Sequence, residues 1–367
     1  MKVLWIAPYL DGTGYSEAAK NYILALDNVG VDVVCRPIKL NNFKGSVDKR
    51  IQQLMQKPLE GCTHVIQHFL PHMFSYNGNL INIGLFATET SHFPDSIWAE
   101  RANMMDGIIA INQQSKESMR KSGVKTRIDI INHAADINKF QQNYAPLEQL
   151  KQYKNDGDFL FYYIGEINKR KNLAALLKAF HSEFKNSEAV QLIIKTNMES
   201  DKVRNYCDEV RRGMKITSYK EEIIITDRLS ENALMKLHST CDCLVAPSYG
   251  EAWHQPAFDS MAMGKTPIVN SCTGFLDYMS NEVGWIVKNT LEPAFGAVES
   301  LNDLYTYNEN WWAIDVIDLK RCMRESFSEE KIRQEKALKG IQRSYDFSYE
   351  KIGADMKGVL ESYGQNI

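Results

Sequence analysis

Short apolar runs alternate with amphipathic stretches along almost the whole chain, and this alternation constrains the fold more than any other feature. Runs such as VLWIAP (3–8), THVIQHF (63–69) and GIIAIN (107–112) are typical of buried strands. The stretch 16–30 between the first two runs has helical periodicity, with Ser16 as the expected N-cap and Gly30 as the expected stop. Strands separated by helices form parallel β-α-β units with right-handed crossovers, so the sequence predicts an α/β fold with doubly wound sheets.

A polar stretch at 148–158 has no apolar periodicity and separates two such series. The second series begins at FLFYYIG (159–165) and continues with the apolar runs VQLIIKT, EIIIT, CLVAP and TPIVN. A chain of 367 residues with 44% hydrophobic residues is large enough for two cores. We therefore expect a Rossmann-like N-terminal domain over 1–152 and a Rossmann-like C-terminal domain over 153–343. A cleft between them, at the carboxyl ends of the strands, is the expected ligand site.

Composition narrows the classes of function. The net charge of −3 does not indicate a nucleic-acid partner, although it leaves room for a local basic patch. No apolar run reaches membrane-spanning length and the first residues lack a signal-peptide pattern, so we expect a cytoplasmic protein that is able to touch a membrane surface. The 7 cysteines include no C-x-x-C pair and lie mostly in apolar runs, as buried thiols do.

Two patterns that suggest a metal site do not fit one. His64, His68 and His72 are spaced as helical neighbours, but their segment is predicted to be a strand followed by Pro71, so the rings would not converge. Asp156 and Asp158 form a D-x-D pattern within the predicted linker. The sequence therefore predicts no metal site.

The segment SYGEAWHQPAFDSMAMG (248–264) carries the strongest functional signal. Glu251 and Asp259 are separated by seven residues, and Pro256 suits the first turn of a helix. The free amides at such a helix start would face an anion, and the two carboxylates would accept hydrogen bonds from sugar and ribose hydroxyls. An ordinary helix with an acidic first turn would show the same pattern.

This segment resembles the E-x7-E phrase of the family 4 retaining glycosyltransferases, which have the GT-B fold. The matching residues are Ser248, Gly250, Glu251, Pro256, Asp259, Met261, Ala262 and Gly264. The resemblance implies that Glu251 lies at the donor sugar and Asp259 at the nucleotide ribose, with His254 and Gln255 beside the donor. Asp259 is one methylene shorter than the usual Glu, and Trp253, His254 and Gln255 replace a loop of small residues.

A basic cluster follows the first strand of the second series, in the phrase YYIGEINKRKN (162–172). Cations beside a helix start suit a diphosphate. In the resembling family such side chains neutralise the leaving diphosphate, which implies this role for Lys171. Glu166 stands where many members have Arg, so Arg170 or Lys195 is expected to supply that charge. Gly165, at the strand end, and Leu229, after the EIIIT run, complete the expected donor-binding residues.

Three further segments resemble the family in matching order. Gly12 and Gly14 follow the first strand, where the family has a Gly-rich loop near the diphosphate and acceptor. The phrase FATETSHFPDSIW (86–98) resembles an E-T-S-x-x-P phrase and offers Glu89 or His92 as a general base. The phrase INHAADINKF (131–140) resembles the end of the family's N-terminal domain. The resemblance also implies that a final helix over 344–367 packs back on the N-terminal domain.

The resemblance implies transfer of a sugar, with retention, from a nucleotide sugar to a hydroxyl acceptor. A UDP-sugar is the first choice of donor and a GDP-sugar the second, with no obligatory metal. The acceptor is open between a saccharide, a lipid-linked saccharide and other hydroxyl compounds. In the family the departing phosphate usually helps to deprotonate the acceptor. A nucleotide-sugar epimerase of the same architecture, or a weakly active nucleotide-sugar-binding subunit, remains an alternative.

Overall fold

The computed structural model describes residues 1–42, 45–154 and 157–364. Contacts divide the chain into two compact units. Unit 1 comprises Met1–Ile137, Pro293–Asn310 and Tyr345–Ile367, and unit 2 comprises Asn138–Glu292 and Trp311–Ser344. Asp156 of the D-x-D pattern and the last three residues of the expected helix over 344–367 lie outside the described residues.

The elements alternate as the sequence predicts. The strands are Lys2–Ala7 (β1), Asp32–Pro37 (β2), His64–His68 (β3), Ile81–Phe86 (β4), Gly107–Ala110 (β5), Ile128–Ile130 (β6), Phe159–Ile164 (β7), Val190–Lys195 (β8), Ile223–Ile225 (β9), Cys243–Ala246 (β10), Ile268–Asn270 (β11), Trp285–Val287 (β12), Asn289–Pro293 (β13) and Asn310–Ile314 (β14). The α-helices are Gly14–Asn28 (α1), Lys49–Met55 (α2), Trp98–Ala102 (α3), Gln113–Lys121 (α4), Ile137–Phe140 (α5), Leu173–Glu183 (α6), Ser200–Met214 (α7), Glu231–Thr240 (α8), Gln255–Ala262 (α9), Phe275–Tyr278 (α10), Val316–Ser328 (α11), Glu330–Ser344 (α12) and Tyr349–Gly364 (α13).

Unit 1 contains a six-stranded parallel sheet in the order β2-β1-β3-β4-β5-β6. Its strands are almost continuous apolar runs because helices cover both faces of a parallel sheet. Helix α13 packs against α1, and a Cβ atom on Gly353 would lie 2.3 Å from the backbone oxygen of Ala25. Only a glycine allows the two helices to approach this closely.

Helix α1 begins earlier than predicted. Thr13, and not Ser16, is the N-cap, because its hydroxyl accepts a hydrogen bond from the Ser16 amide at 3.3 Å. The side chain of Ser16 is buried instead. The predicted stop is confirmed, since Gly30 has a φ of +78° just after the helix.

Unit 2 contains a second six-stranded parallel sheet, in the order β12-β11-β10-β7-β8-β9. Counted within the unit this is the order 6-5-4-1-2-3 of a Rossmann fold, in which the chain reverses direction across the sheet between β7 and β10. The prediction of two Rossmann-like α/β sheets is confirmed. Among the described residues, no helix combines the length and apolar character needed to cross a bilayer.

The units divide at residues 137 and 138, whereas the sequence places the boundary at 152 and 153. The segment between these positions is attached to α8: the Leu147 amide donates to Thr240 Oγ1 at 2.8 Å, and Ser239 Oγ donates to the Tyr144 carbonyl at 3.1 Å. Residues 293–310 lie in unit 1, although the sequence assigns them to the C-terminal domain. A short stretch without apolar periodicity does not reveal which sheet it packs against.

Candidate donor site in unit 2

The point where the strand order reverses places two loops side by side. Strands β7 and β10 are neighbours, with Phe161 opposite Cys243. Because the strands are parallel, the loops after their carboxyl ends, 165–172 and 247–254, leave the same edge of the sheet. Crevices at this position are the usual ligand sites of open α/β sheets. The two strongest sequence signals therefore converge.

Hydrogen bonds join the two loops directly. The Tyr249 amide donates to the Arg170 carbonyl at 2.9 Å, and the Arg170 guanidinium donates to the Gly250 carbonyl at 2.8 Å. Asn172, whose φ of 53° is left-handed, donates its side-chain amide to the Pro247 carbonyl at 3.3 Å. The loops thus form one assembly, and the cationic side chains are held by the loop that carries Glu251.

Glu251 is the centre of an ion cluster. Its Oε1 atom lies 2.7 Å from Lys171 Nζ and 3.1 Å from Arg170 Nη1. The Glu251 side chain is 6% exposed, and those of Arg170 and Lys171 are 18% and 17% exposed. Burial favours the neutral acid, but the two cations outweigh it and hold the pKa of Glu251 well below its ordinary value. Two cations share one carboxylate, so the cluster carries an excess positive charge.

A third loop fixes the backbone of Glu251. Its amide donates to Thr273 Oγ1 at 3.0 Å, and its carbonyl accepts from the Gly274 amide at 2.9 Å. A Cβ atom on Gly274 would lie 1.9 Å from the Ala252 carbonyl oxygen, so no other residue fits without a shift of the loop. The position of the carboxylate is therefore set by packed backbone on both sides.

Helix α9 starts beside this cluster, with Pro256 in its first turn as predicted. His254 is the N-cap in a left-handed conformation, φ 70°, and its Nδ1 atom accepts from the Ala257 amide at 3.2 Å. Burial lowers the pKa of His254 to about 3, so the ring is neutral at pH 7. The Ala257 amide is one of the helix-start amides that the sequence predicts to face an anion, and it is bonded to this ring instead.

Asp259 lies in α9 and is almost fully buried, at 2% exposure. Gln255 Nε2 donates to its Oδ1 atom at 2.6 Å. The bond joins residues four apart on one helical face. Helix α9, which the sequence predicts to contact the donor, therefore carries Gln255 and Asp259 and is capped by His254.

The other donor residues predicted from the sequence lie at neighbouring strand ends. Gly165 directly follows β7, and its amide donates to the Lys195 carbonyl on β8 at 3.1 Å. Lys195 Nζ donates to the Thr196 carbonyl at 2.9 Å and to Asn197 Oδ1 at 2.8 Å, and burial lowers its pKa to about 8. None of these hydrogen bonds reaches Glu251. Leu229 is half-buried in the loop between β9 and α8.

The remaining predicted residues belong to unit 1. Gly12 has a φ of +62°, a conformation that favours glycine, and Gly14 is the first residue of α1. Glu89 accepts a hydrogen bond from the Tyr305 hydroxyl at 2.7 Å, and His92 Nδ1 pairs with Ser91 Oγ at 2.7 Å. All four residues lie in unit 1.

Sequence reasoning did not find several residues that hold the cluster. Thr273 and Gly274 could have been suspected, because they follow the TPIVN strand and thus end at the same sheet edge. The Asn168 side chain, which accepts from the Lys171 amide at 3.0 Å, is typical of a turn before a helix. No sequence signal identifies the left-handed backbone of His254. Among the described residues, no group of three or more His, Cys, Asp or Glu side chains is placed to hold a metal.

Part of the chain, including the loops described above, is similar to known proteins. Residues 147–308, less than half of the chain, match the model of the family described as glycosyl transferases group 1. The alpha-monoglucosyldiacylglycerol synthase of Streptococcus pneumoniae is 19% identical over 183 residues, which are 48% of this chain. The alignment spans only 40% of that relative's length.

Solved structures match the chain over its full length. Sucrose-phosphate synthase of Thermosynechococcus elongatus is 13% identical with a TM-score of 0.69, and the match covers 100% of both chains. The Anabaena protein HepE, solved in complex with UDP-glucose, is 14% identical with a TM-score of 0.68 and covers 99% of this chain and 100% of its own. At such identities the likeness shows the fold, and it confirms the GT-B fold class.

Proposed function

We propose that the chain is a retaining glycosyltransferase that moves a sugar from a nucleoside-diphosphate sugar to a hydroxyl acceptor. The observation that carries the proposal is the pair of cations, Arg170 and Lys171, fixed by Glu251 at the strand ends of unit 2. The match of residues 147–308 to a glycosyltransferase family model supports it. The proposal makes unit 2 the donor-binding part of the molecule.

The roles of the residues follow from the charge that develops during transfer. The bond between the anomeric carbon and the diphosphate oxygen breaks, a bond to the acceptor oxygen forms, and the acceptor proton passes to a leaving phosphate oxygen. Negative charge therefore grows on the diphosphate, where preorganised cations stabilise the transition state more than the ground state. Arg170 and Lys171 supply that charge, and Glu251 fixes both side chains and faces the donor sugar.

Asp259 and the start of α9 are assigned to the nucleotide. Gln255 holds one carboxylate oxygen of Asp259, which orients the carboxylate as an acceptor for ribose hydroxyls. The ring of His254 is neutral, so it places an uncharged group next to the diphosphate of the nucleotide. Gly165, Lys195 and Leu229, at neighbouring strand ends, complete the proposed nucleotide contacts.

A UDP-sugar is the proposed donor, and a GDP-sugar is the second choice. The structural neighbour HepE was solved with UDP-glucose, which favours UDP. The acceptor is proposed to bind to unit 1, where Gly12 and Gly14 allow close approach. Glu89 and His92 are the alternatives to the leaving phosphate as the group that takes the acceptor proton. The name of the streptococcal relative, a glucosyldiacylglycerol synthase, keeps a lipid among the candidate acceptors beside saccharides.

Replacement of Lys171 tests the proposed function. Lys171→Ala should lower turnover of the preferred donor by about tenfold or more, because the leaving diphosphate loses a cation in the transition state. Turnover is measured as nucleoside diphosphate released from a panel of UDP- and GDP-sugars. The control is Lys178→Ala, which removes an exposed lysine of α6 and should leave turnover unchanged.

Several outcomes would contradict the proposal. Equal turnover in Lys171→Ala and the wild type would remove Lys171 from the mechanism. Conversion of one nucleotide sugar into another without an acceptor would identify an epimerase. Tight binding of donor with neither transfer nor hydrolysis would identify a binding subunit. The anomeric proton coupling of the product distinguishes retention from inversion.

A further inference from the structure

Two adjacent tyrosines of β7, Tyr162 and Tyr163, lie directly behind the proposed donor site. The carboxyl end of β7 leads into the loop 165–172, and β7 pairs with β10, whose carboxyl end leads into α9. Successive side chains of a strand point to opposite faces of the sheet. Tyr163 accordingly packs with Phe161 and residues of α6, whereas Tyr162 faces α8 and α9. Both rings are buried, at 0% exposure for Tyr162 and 1% for Tyr163.

The Tyr163 hydroxyl supports the start of the loop that carries the two cations. It donates to the Glu166 carbonyl at 2.6 Å. A Cβ atom on Gly165 would lie 2.9 Å from the same hydroxyl oxygen and 3.1 Å from the ring carbon that bears it, so the loop packs directly on the phenol. The charges of Glu251 and Arg170 act on the pKa of Tyr163 in opposite directions, which places the ring near the ion cluster. Tyr163 thus fixes the first turn of this loop.

The Tyr162 hydroxyl supports helix α9 on the other face of the sheet. It donates to Ser260 Oγ at 3.0 Å and pairs with Nδ1 of His238 on α8 at 2.8 Å. Ser260 is 0% exposed and directly follows Asp259, the carboxylate assigned to the ribose. A hydrogen bond from the sheet to one residue of a helix as short as α9 limits the rotation of the helix about its axis. Tyr162 therefore helps to set the direction of Asp259.

The protonation state of the two phenols does not change under assay conditions. Burial raises the pKa of Tyr162 and of Tyr163 well above the ordinary value, so each keeps its proton at neutral and mildly alkaline pH. Loss of the Tyr162 hydroxyl would remove a hydrogen-bond partner from Ser260 and from His238, whose ring is neutral because burial lowers its pKa to about 3. Buried polar groups that lose a partner are costly, so the surrounding elements shift.

We propose that the two tyrosines of β7 are positioning residues for separate halves of the donor site: Tyr163 holds the loop that binds the diphosphate, and Tyr162 holds the helix that binds the nucleoside. One strand thereby keeps the two halves in register. This inference rests on the proposed function, since it takes the diphosphate to lie at Arg170 and Lys171 and the ribose at Asp259.

Two conservative variants and two ligands separate these roles. Tyr162→Phe and Tyr163→Phe each keep the ring and remove only the hydroxyl. The probes are uridine, which has no phosphate, and UDP, with guanosine and GDP in their place if the donor is a GDP-sugar. Ligand-observed NMR measures the affinity for the nucleoside and calorimetry the affinity for the diphosphate. Turnover is measured as nucleoside diphosphate released from the nucleotide sugar.

The two variants should give different patterns. Tyr162→Phe should weaken uridine and UDP by the same factor, about fivefold, through one lost buried hydrogen bond, and its kcat at saturating donor should stay within about twofold of the wild type. Tyr163→Phe should bind uridine as the wild type does and UDP about fivefold more weakly, and its kcat should fall about tenfold. The cations displaced in this variant stabilise the diphosphate less, above all in the transition state.

A merely structural role would not give this split. Partial unfolding would lower kcat together with both affinities, whereas the proposal requires the ratio of uridine to UDP affinity to change in Tyr163→Phe alone. The matched control is Tyr219→Phe. Tyr219 contacts His181 and Arg211 in the segment before β9, at the amino-end edge of the same sheet. This control should change neither affinity nor kcat.

Wild-type behaviour of either tyrosine variant would overturn the proposal, and so would an equal ratio of uridine to UDP affinity in the two. With either result, UDP binding and donor turnover by the wild type would leave the transferase proposal intact. A wild type that binds no nucleoside diphosphate and turns over no nucleotide sugar would overturn the proposed function, and this inference with it.

Discussion

At Glu251 burial and charge act in opposite directions, and the balance decides how unit 2 responds to pH. The carboxylate is 6% exposed, yet Lys171 at 2.7 Å and Arg170 at 3.1 Å keep its pKa below the ordinary value. A carboxyl group with a lowered folded-state pKa stabilises the fold above its unfolded pKa, and that contribution is lost as pH falls through the folded value. Protonation of Glu251 would leave two cations facing each other.

Glu251→Gln should therefore lower the free energy of unfolding by about 3 kcal/mol at pH 7, because it removes one partner of a buried ion cluster. The deficit should shrink progressively as pH falls below the ordinary Glu pKa of about 4.3, because the unfolded wild type then binds a proton that the folded state does not. Urea denaturation at a series of pH values measures this. Glu166→Gln removes an exposed carboxylate in the neighbouring loop and should change stability by less than about 0.5 kcal/mol. A deficit that stays constant with pH would contradict the assignment.

The elements of the donor site meet through backbone contacts as much as through side chains. The loop after β11 supports the loop after β10, and Gly274 lies so close to the Ala252 carbonyl that a Cβ atom would be 1.9 Å from its oxygen. Gly274→Ala must push the two loops apart. We expect a loss of about 2 kcal/mol or more in the stability of unit 2 and at least about tenfold weaker UDP binding.

The matched control for this prediction is Gly213→Ala in α7. Nothing lies within 4 Å of the added methyl group there, and φ is not left-handed. This variant should keep UDP affinity and lose no stability, since alanine is favoured over glycine in a helix. Calorimetric titration with UDP separates the two variants. Unchanged UDP affinity in Gly274→Ala would show that the loop after β11 does not position the site.

Apolar periodicity predicted the two large sheets because their central strands are buried on both faces. The Lys171 turn and the start of α9 were located by their motifs, in the segments that connect β7 and β10 to the following helices. Sequence reasoning could not predict that His254 adopts a left-handed φ or that Glu251 pairs with Lys171, because these depend on contacts between loops 80 residues apart. Residues 293–310 belong to unit 1, and their sequence has no apolar periodicity that would predict this.

Neither unit is one continuous segment of the whole molecule, because the chain passes between the units four times. Unit 1 combines its N-terminal segment with residues 293–310 and 345–364, and helix α13 of the last segment buries Ile352, Met356 and Leu360. The Leu360 carbonyl in α13 accepts a hydrogen bond from Nε2 of His64 on β3 at 3.1 Å. An N-terminal sheet made without α13 would leave one face of α1 and the neighbouring strands exposed to water.

Residues 1–137 alone should therefore fail to fold cooperatively, since the missing helix removes several fully buried side chains from a core of modest size. We expect a broad thermal transition by circular dichroism and rapid proteolysis within this fragment. A synthetic peptide covering 345–364 should restore part of the protection, whereas the same peptide with Gly353→Val should not, because the Cβ atom would meet the Ala25 carbonyl at 2.3 Å. A sharp thermal transition in the fragment without peptide would contradict this prediction. It would show that residues 1–137 fold cooperatively without α13.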